Sequence, residues 1–499
     1  MIKKLFNNAF SNYASMIISM VIAFVMSPVL VHKLGDTSYG IWALVMSITG
    51  YFSLLDLGMN RAIVRFVSMY EAKNEKEELN HFFNTTLVLY SLLGLLTVIF
   101  TLGIAFFLEN FVDLKGYVFL AKVVVIIVGI DFAFTFPFGV MYAVLIGRQE
   151  HTIANRINIS NTVVRNIVLY GALFYYPSLV CVTIVHVTFN MTKNIRIYMQ
   201  VRRSCPHIVF SRRYFDKSRI SSIFSYSIHS FVVSVSSRVI NFTDEIVVAT
   251  FLKVADVTYY SIATNLITYF EKLVWSGASV FVPYISQLDA QNDQDQVKRS
   301  FFCGSKYTLL LSLYIFAGIY LIGGDFVSVW MGQKYGVVVK PILFILALAK
   351  VISLSQSMSV ARFFGTSKHQ LLSKLNLLEA VCNLILSITL VQKYGMIGVA
   401  YGTLIPAVLC NGLLLPLITF KEFKVSYFDF IIKSIMRPLA VFGLTVYGML
   451  QIGGHAGSYI TLVFQAGIIT TVFLVLSIVL VVDSEERSYI FAKLGLRDE

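Results

Sequence analysis

A single shift of 218 residues lays the second half of this chain on the first, and a chain written as two copies of one apolar unit has few folds open to it. At that offset Tyr51 and Phe52 meet Tyr269 and Phe270, Ser68 meets Ser286, and Glu71 and Ala72 meet Asp289 and Ala290. Asn74 and Glu75 meet Asn292 and Asp293. The register persists downstream, where Gly147 meets Gly365, His151 meets His369, Arg156 meets Lys374 and Asn158 meets Asn376. Most matched positions are polar, so a shared apolar bias does not produce the match. Duplicated helical bundles in a membrane are the usual build of transporters whose path lies between the halves.

The rest of the composition points the same way. Hydrophobic residues make up 57% and charged residues 13% of the chain, against roughly 25% charged in soluble domains. The expectation is an all-α polytopic membrane protein. Cys181, Cys205, Cys303, Cys382 and Cys410 have no metal-ligand spacing, so neither a disulfide framework nor a metal site is implied. The net charge of +13 sits mostly in short loops between apolar stretches, where Lys and Arg set orientation. Nucleic acid is therefore not an expected partner. The first apolar stretch, from about Tyr13 to Val31, has spanning length and no small-residue cleavage site, and reads as a retained helix.

Apolar stretches centred near Val21, Met46, Leu95, Ile130, Ile167, Val185, Val235, Leu266, Leu313, Leu348, Leu386, Gly402, Leu444 and Val472 predict about fourteen spans. One set of alternating loops carries Lys3, Lys4, Arg61, Arg65, Lys73, Lys76, Arg148, Arg156, Lys193, Arg196, Arg202, Arg203, Arg212, Arg213, Lys217 and Arg219. It continues with Lys298, Arg299, Arg362, Lys368, Lys421, Lys424, Lys433, Arg437, Arg487, Lys493 and Arg497. The other set holds only Lys33, Lys115, Lys253, Lys334, Lys340 and Lys393. The asymmetry predicts both termini in the cytoplasm. Residues 1–200 are then expected to form an N-terminal six-helix bundle and 201–219 a basic cytoplasmic linker touching anionic lipid. Residues 220–420 form a second six-helix bundle, related to the first as a parallel repeat, and 421–499 add two further helices and a cytoplasmic tail.

Ionisable residues at mid-membrane depth cost about 2.5 to 3.5 kcal/mol each and tend to face a cavity or one another. The fifth span places Asn158, Asn161 and Arg165 on one helical face, and its repeat partner places Asn376, Glu379 and Asn383 at the matching positions. Both faces are candidates to line a water-filled cavity; a structural network of interhelical hydrogen bonds is the alternative. The seventh span carries Arg238, Asn241 and Glu245 on one face with Asp244 adjacent, and the eighth carries Asn265, Thr268 and Lys272 with Glu271 adjacent. Lys350 and Asp131 lie in the tenth and fourth spans at nearly equivalent repeat positions. Arg165, Arg238, Lys272 and Lys350 would attract phosphate or carboxylate, whereas Asp131, Glu379, Glu245, Glu271 and Asp244 could hold a proton or sodium ion for coupling. A buried ion pair such as Arg238 with Glu245 is the competing reading of any one of them. Pro28, Pro137, Pro283, Pro341, Pro406 and Pro416 offer places for helices to bend.

Leu34-Gly35, Tyr39-Gly40-Ile41-Trp42 and Asp56-Leu57-Gly58, followed by Arg61 and Arg65, resemble the start of Wzx-type polysaccharide and O-antigen flippases. These form the polysaccharide transporter family of the multidrug/oligosaccharidyl-lipid/polysaccharide exporter superfamily. Ala255-Asp256-Val257-Thr258-Tyr259-Tyr260, leading to Leu288-Asp289-Ala290, resembles the matching region of the second half. The resemblance implies a secondary transporter in the bacterial inner (plasma) membrane, moving a polyprenyl-diphosphate-linked oligosaccharide from the cytoplasmic to the periplasmic leaflet by alternating access. H+ or Na+ is the implied counter-ion, and polymerase and chain-length-control proteins are the implied pathway partners. Asp56, Arg61 and Arg65 match the family's acidic-Leu-Gly signature and become cytoplasmic gate residues, with a helix-end salt bridge as the alternative.

Three other readings compete. A multidrug exporter or a peptidoglycan-precursor exporter of the same superfamily would share the fold. A membrane polymerase or ligase would need a sizeable outer loop with acid and base residues, and the longest here, about Gly324 to Lys340, offers only Asp325, Lys334 and Lys340. No Walker-type glycine loop is present. The expectation is a transporter without a cofactor, not an enzyme.

Overall fold

Apolar residues run with helical period through most of the chain, and among the described residues every regular element is helical. The structure, a computed structural model, describes residues 2–279, 281–291, 293–366, 369–423, 425–483 and 486, with only the backbone described at 2–6, 9, 222–230, 232–233, 283, 289–290 and 369. Asn292, Lys368, Lys424, Arg487, Lys493 and Arg497, and the side chains of Lys3, Lys4, Pro283, Asp289, Ala290 and His369, lie outside the described residues.

The helices are α1 (Ile2–Phe52), α2 (Met59–Lys73), α3 (Lys76–Phe111), α4 (Val118–Gly147), α5 (His151–Tyr175), α6 (Leu179–Ser204) and α7 (Ser218–Phe251). They continue as α8 (Val254–Ala278), α9 (Phe281–Ala290), α10 (Gln294–Met331), α11 (Gln333–Ser355), α12 (Ser357–Gly365) and α13 (His369–Pro406). The last are α14 (Leu415–Phe423), α15 (Tyr427–Phe430), α16 (Arg437–Ile452) and α17 (Tyr459–Leu480), with π-helical turns at Ala407–Leu414 and Ile431–Met436. Among the described residues eight stretches are long and apolar enough to cross a membrane, including Phe10–Asp56 and Gln370–Phe423. Each of those two contains a glycine with non-helical backbone, Gly35 (φ 74°) and Gly395 (φ 59°). Only glycine adopts such angles without steric penalty. Helical backbone continues through Pro28, Pro137 and Pro341, so the breaks in α1 and α13 fall on glycine and not on the prolines singled out from the sequence.

The chain divides into two compact units, Met1–Thr258 and Tyr259–Glu499. In the first, α4 packs on α2, α3 and α6, and α1 packs on α5 and α7. Packing therefore places α7 with the first unit, whereas the repeat alone starts the second bundle at residue 220. In the second unit, α11 packs on α10 and α13, α12 on α9, and α10 on α16 and α17.

The repeat is visible at the level of single atoms. The Ser68 hydroxyl donates to the Gly147 carbonyl at 2.6 Å, and the Ser286 hydroxyl donates to the Gly365 carbonyl at 3.2 Å, each across 79 residues. These contacts tie α2 to the C-terminal end of α4, and α9 to the C-terminal end of α12. Buried Val67, Leu79, Phe83, Val140 and Ala143 in the first unit have buried Ile285, Val297, Phe301, Met358 and Ala361 as their repeat partners in the second. Apolar packing of this kind is the main source of helix stability once side chains interlock.

A buried lysine ties in the C-terminal helices. Lys306 of α10 is 4% exposed, and its ammonium donates to Glu486 Oε2 at 2.9 Å, Asp483 Oδ2 at 3.1 Å and the Val481 carbonyl at 3.3 Å. The Tyr307 hydroxyl also donates to Glu486, at 2.8 Å, and Arg437 pairs with Asp483. Burial resists ionisation of both carboxyls, yet hydrogen bonds from Lys306 to Glu486, and from Arg437 and Lys306 to Asp483, outweigh it and hold both below the usual carboxylate range.

Two outcomes follow. A Cβ at Gly40 would lie 2.1 Å from the Val254 carbonyl oxygen, whereas one at Gly103 meets nothing within 4 Å. Gly40→Ala should lower stability by about 1–3 kcal/mol and Gly103→Ala should not, read as thermal midpoints in detergent. Because the folded-state pKa values of Asp483 and Glu486 are depressed, their stabilisation is complete above the unfolded values near about 4. It should be lost as pH falls through the depressed folded values, opening residues 481–483 to protease before the rest of the second unit melts.

Candidate functional site

Polar side chains on the long helices gather into one group in each unit. In the first, Asp131 of α4 is 4% exposed and accepts from Asn190 Nδ2 of α6 at 2.7 Å. Asn190 and Asn194 both donate to the Thr135 hydroxyl, at 3.0 and 3.1 Å. Asp131 Oδ1 is buried with no hydrogen-bond partner, and its electrostatic neighbour is Lys193. Arg165 of α5 stands within electrostatic reach of Lys193 and of His186, whose ring meets Trp42 edge-on at 5.3 Å. Three potentially cationic groups thus share this region with one carboxylate. Lys193, which loop counting assigns to the cytoplasm, lies well inside α6 because that helix continues to Ser204.

The second unit carries the same positions with different chemistry. Ser353 and Asn411 are the repeat partners of Thr135 and Lys193. Asn411, in the π-helical turn after α13, donates to Ser353 Oγ at 3.2 Å and to Glu379 Oε1 at 2.8 Å. Glu379 is 9% exposed, and Lys350 and Glu271 are its charged neighbours. The Lys350 ammonium pairs with Glu271 Oε2 at 2.6 Å. Lys350 is therefore a paired cation, the competing reading that the sequence left open for each such residue. π-helical turns recur at functional positions in helices, and this one brings Asn411 onto Glu379.

The remaining expected residues are placed as follows. Arg238 lies over the Phe242 ring at 5.1 Å and is not paired with Glu245, so that alternative is not realised. Asp244 and Glu245 are buried on α7 near Tyr51, whose hydroxyl bonds Thr243. Asn241 is exposed and donates to the Ser237 carbonyl of its own helix at 2.8 Å. Lys272 is exposed, without an ion-pair partner among the described residues. Asn158 lies beside the Tyr142 hydroxyl, Asn161 is buried and Asn376 half-buried. Asn383 donates to Thr403 Oγ1 at 3.1 Å, joining the two arms of α13 on either side of the break at Gly395. Asn155, not singled out from sequence, joins two helices, α1 and α5, by donating to Asn12 at 2.6 Å.

The Asp56-Leu57-Gly58 signature is an elbow. Leu57 (φ 50°) and Gly58 (φ 76°) are both left-handed, and Asp56 accepts from the Tyr90 hydroxyl and from the Asn60 amide at the start of α2. Arg61 and Arg65 are exposed on α2, and no bridge joins Asp56 to Arg61 among the described residues. Arg362, counted with the loops, is 1% exposed and lies 4.0 Å over the Phe423 ring.

A family model described as polysaccharide biosynthesis protein matches residues 5–289, more than half of the 499 residues. The chain belongs to that family. Among its relatives is the uncharacterized membrane protein EpsK of Bacillus subtilis (strain 168), 21% identical over 498 residues and 97% of each chain. The putative O-antigen transporter of Shigella flexneri is 22% identical over 390 residues, 76% of this chain and 89% of its own. The probable flippase AglR of Haloferax volcanii is 21% identical over 388 residues, 75% of each. Two solved structures share the fold. Lipid II flippase MurJ in an inward closed conformation superposes with a TM-score of 0.73 at 19% identity, over 98% of this chain and 99% of that one. An inward-facing multidrug resistance MATE family transporter does so with a TM-score of 0.67 at 14% identity, over 82% and 96%. The family resemblance and the helical membrane fold read from the sequence are both borne out.

If the Asn411 to Glu379 bond holds the second group together, Asn411→Ala should lower the thermal midpoint by the equivalent of about 1–3 kcal/mol. Adding Glu379→Ala should return part of that loss, since removing both partners leaves no orphaned group. An equal loss in single and double variants contradicts that role.

Proposed function

We propose that this chain is a flippase for a polyprenyl-diphosphate-linked oligosaccharide, carrying it from the inner to the outer leaflet of the plasma membrane for surface polysaccharide synthesis. Both termini would be cytoplasmic and the helical rods would make fourteen spans. The observation that carries the reading is charge without compensation. Arg165 and Arg238 sit on long helices of the first unit with no carboxylate partner among the described residues. An unanswered guanidinium at membrane depth costs several kcal/mol and is retained where an anion is to be bound. The diphosphate is such an anion, and the names of the relatives from Shigella flexneri and Haloferax volcanii support a glycan-lipid cargo. A pump for cationic drugs would be opposed by the same residues.

Asp131, Glu379, Glu245, Glu271 and Asp244 supply the carboxylates for coupling to H+ or Na+, with Asp131 favoured by its buried, unbonded Oδ1. Arg61 and Arg65, exposed on α2, would meet the headgroup first, and Asp56 would fix the elbow that presents them. Polymerase and chain-length-control proteins of the pathway would receive the product.

Removing one charge-assisted contact to the diphosphate is worth about 1.5–3 kcal/mol, roughly tenfold or more in rate or affinity. Arg165→Ala and Arg238→Ala should each strip surface polysaccharide from cells that depend on this gene, with the protein still present in the membrane. Normal polymer from both variants contradicts the assignment.

A further inference from the structure

The thirteen residues between α6 and α7, 205–217, are basic and read as a loose tether, yet two buried asparagines hold their backbone. Asn80 and Asn84 of α3 are each 5% exposed. Asn80 donates to the His207 carbonyl at 2.9 Å and accepts from the Val209 amide at 2.7 Å. Asn84 repeats the pattern two residues on, donating to the Val209 carbonyl at 2.8 Å and accepting from the Ser211 amide at 3.0 Å. The second amide hydrogen of each goes to its own helix, to the Lys76 and Asn80 carbonyls, both at 2.9 Å. Both carboxamide donors and the acceptor are therefore used at each position.

The geometry explains the spacing. Residues four apart on a helix rise about 6 Å, and residues two apart on an extended chain advance about 6.6 Å. Asparagines at i and i+4 thus match the repeat of an extended segment. Alternation then sorts the side chains: Ile208 is buried, Phe210 stands edge-on to Phe83 at 5.3 Å, and Val209 is 46% exposed.

The segment ends as firmly as it begins. The Asp216 amide donates to Thr85 Oγ1 at 2.9 Å, and the Asp216 carboxylate accepts at 2.9 Å from the amide of Ser218, the first residue of α7. Arg219 then reaches back to Glu78 at 2.5 Å and to the Tyr70 hydroxyl at 3.3 Å. In the second unit the chain after the repeat lies on the corresponding part of α10, where Phe430 stacks on Phe301 at 5.5 Å and the Ser434 hydroxyl donates to the Phe302 carbonyl at 3.0 Å. Phe302 is the repeat partner of Asn84. One location receives a connecting segment in both units, by aromatic packing in one and by backbone hydrogen bonds in the other.

We infer that Asn80 and Asn84 are positioning residues, which fasten residues 207–216 to α3 as a strap and so set the start of α7, the helix that carries Arg238, Asp244 and Glu245. The fastening is independent of the cargo, whereas its effect on transport rests on the proposed function. The grip is on backbone atoms, so the side chains of the strap are free to vary where they are exposed.

Hydrogen exchange of the full-length protein in detergent or nanodiscs tests it. The Val209 and Ser211 amides should be protected in the wild type and should exchange roughly tenfold or more faster in Asn80→Ala/Asn84→Ala, the order of effect of losing a hydrogen bond. The first turn of α7 should loosen with them, while amides in the interior of α3 keep their protection. Val209→Ala should leave the strap protected. If the double variant does not fold, judged by lost protection in α3, Asn84→Ala alone should expose Ser211. Rapid exchange of the strap in the wild type, or unchanged exchange in a folded asparagine variant, would overturn the inference. A folded double variant with a loosened strap should flip its cargo more slowly; undiminished flipping there would overturn the link to α7 while leaving the proposed function standing.

Discussion

A charge carried on a helix surrounded by hydrocarbon must be answered or used, and this constraint sorts the ionisable residues of the chain. Lys306 is answered by Asp483 and Glu486, Lys350 by Glu271, and Glu379 by Asn411. Arg362 is buried against the face of Phe423, a cation–π contact that offsets part of its desolvation. Arg165 and Arg238 stand apart from these, with no acidic partner among the described residues. Around Asp131 the first unit gathers Lys193, Arg165 and His186, while in the second the acid and base at the corresponding level are paired.

That difference is superimposed on a shared framework. The Ser68 to Gly147 bond and its copy from Ser286 to Gly365 fasten equivalent helices, and the apolar residues around them are buried in matching register. The packing is shared while the polar level differs: Ser353 stands at the repeat position of Thr135, and Asn411 at that of Lys193.

What could be read from the sequence depended on whether the signal was local. The repeat register was legible because polar identities recur at one fixed offset, and the helical membrane class because apolar runs exceed spanning length. Lys193 and Arg362, counted with the loops, lie within α6 and α12, because counting basic residues near expected helix ends ignores how far α6 continues and what packs on α12. The partner of Lys306 lies 180 positions away, and Lys350 meets Glu271 only through tertiary packing. Asn80 and Asn84 left no mark at all, since their partners are backbone atoms, which carry no residue signature. Asp56 was legible as a signature and not as the cap of an elbow, because left-handed Leu57 has no sequence rule to announce it.

Recognition of the diphosphate by uncompensated cations is the centre of this account, and reconstitution tests it most directly. Purified protein in liposomes would be offered a polyprenyl-diphosphate-linked oligosaccharide and the same glycan on a neutral polyprenyl ether, with arrival in the opposite leaflet read by an impermeant glycosidase. Protein-dependent movement of the diphosphate-linked lipid, with the neutral lipid left behind, is the predicted result. Equal movement of both, or movement of neither, would contradict it.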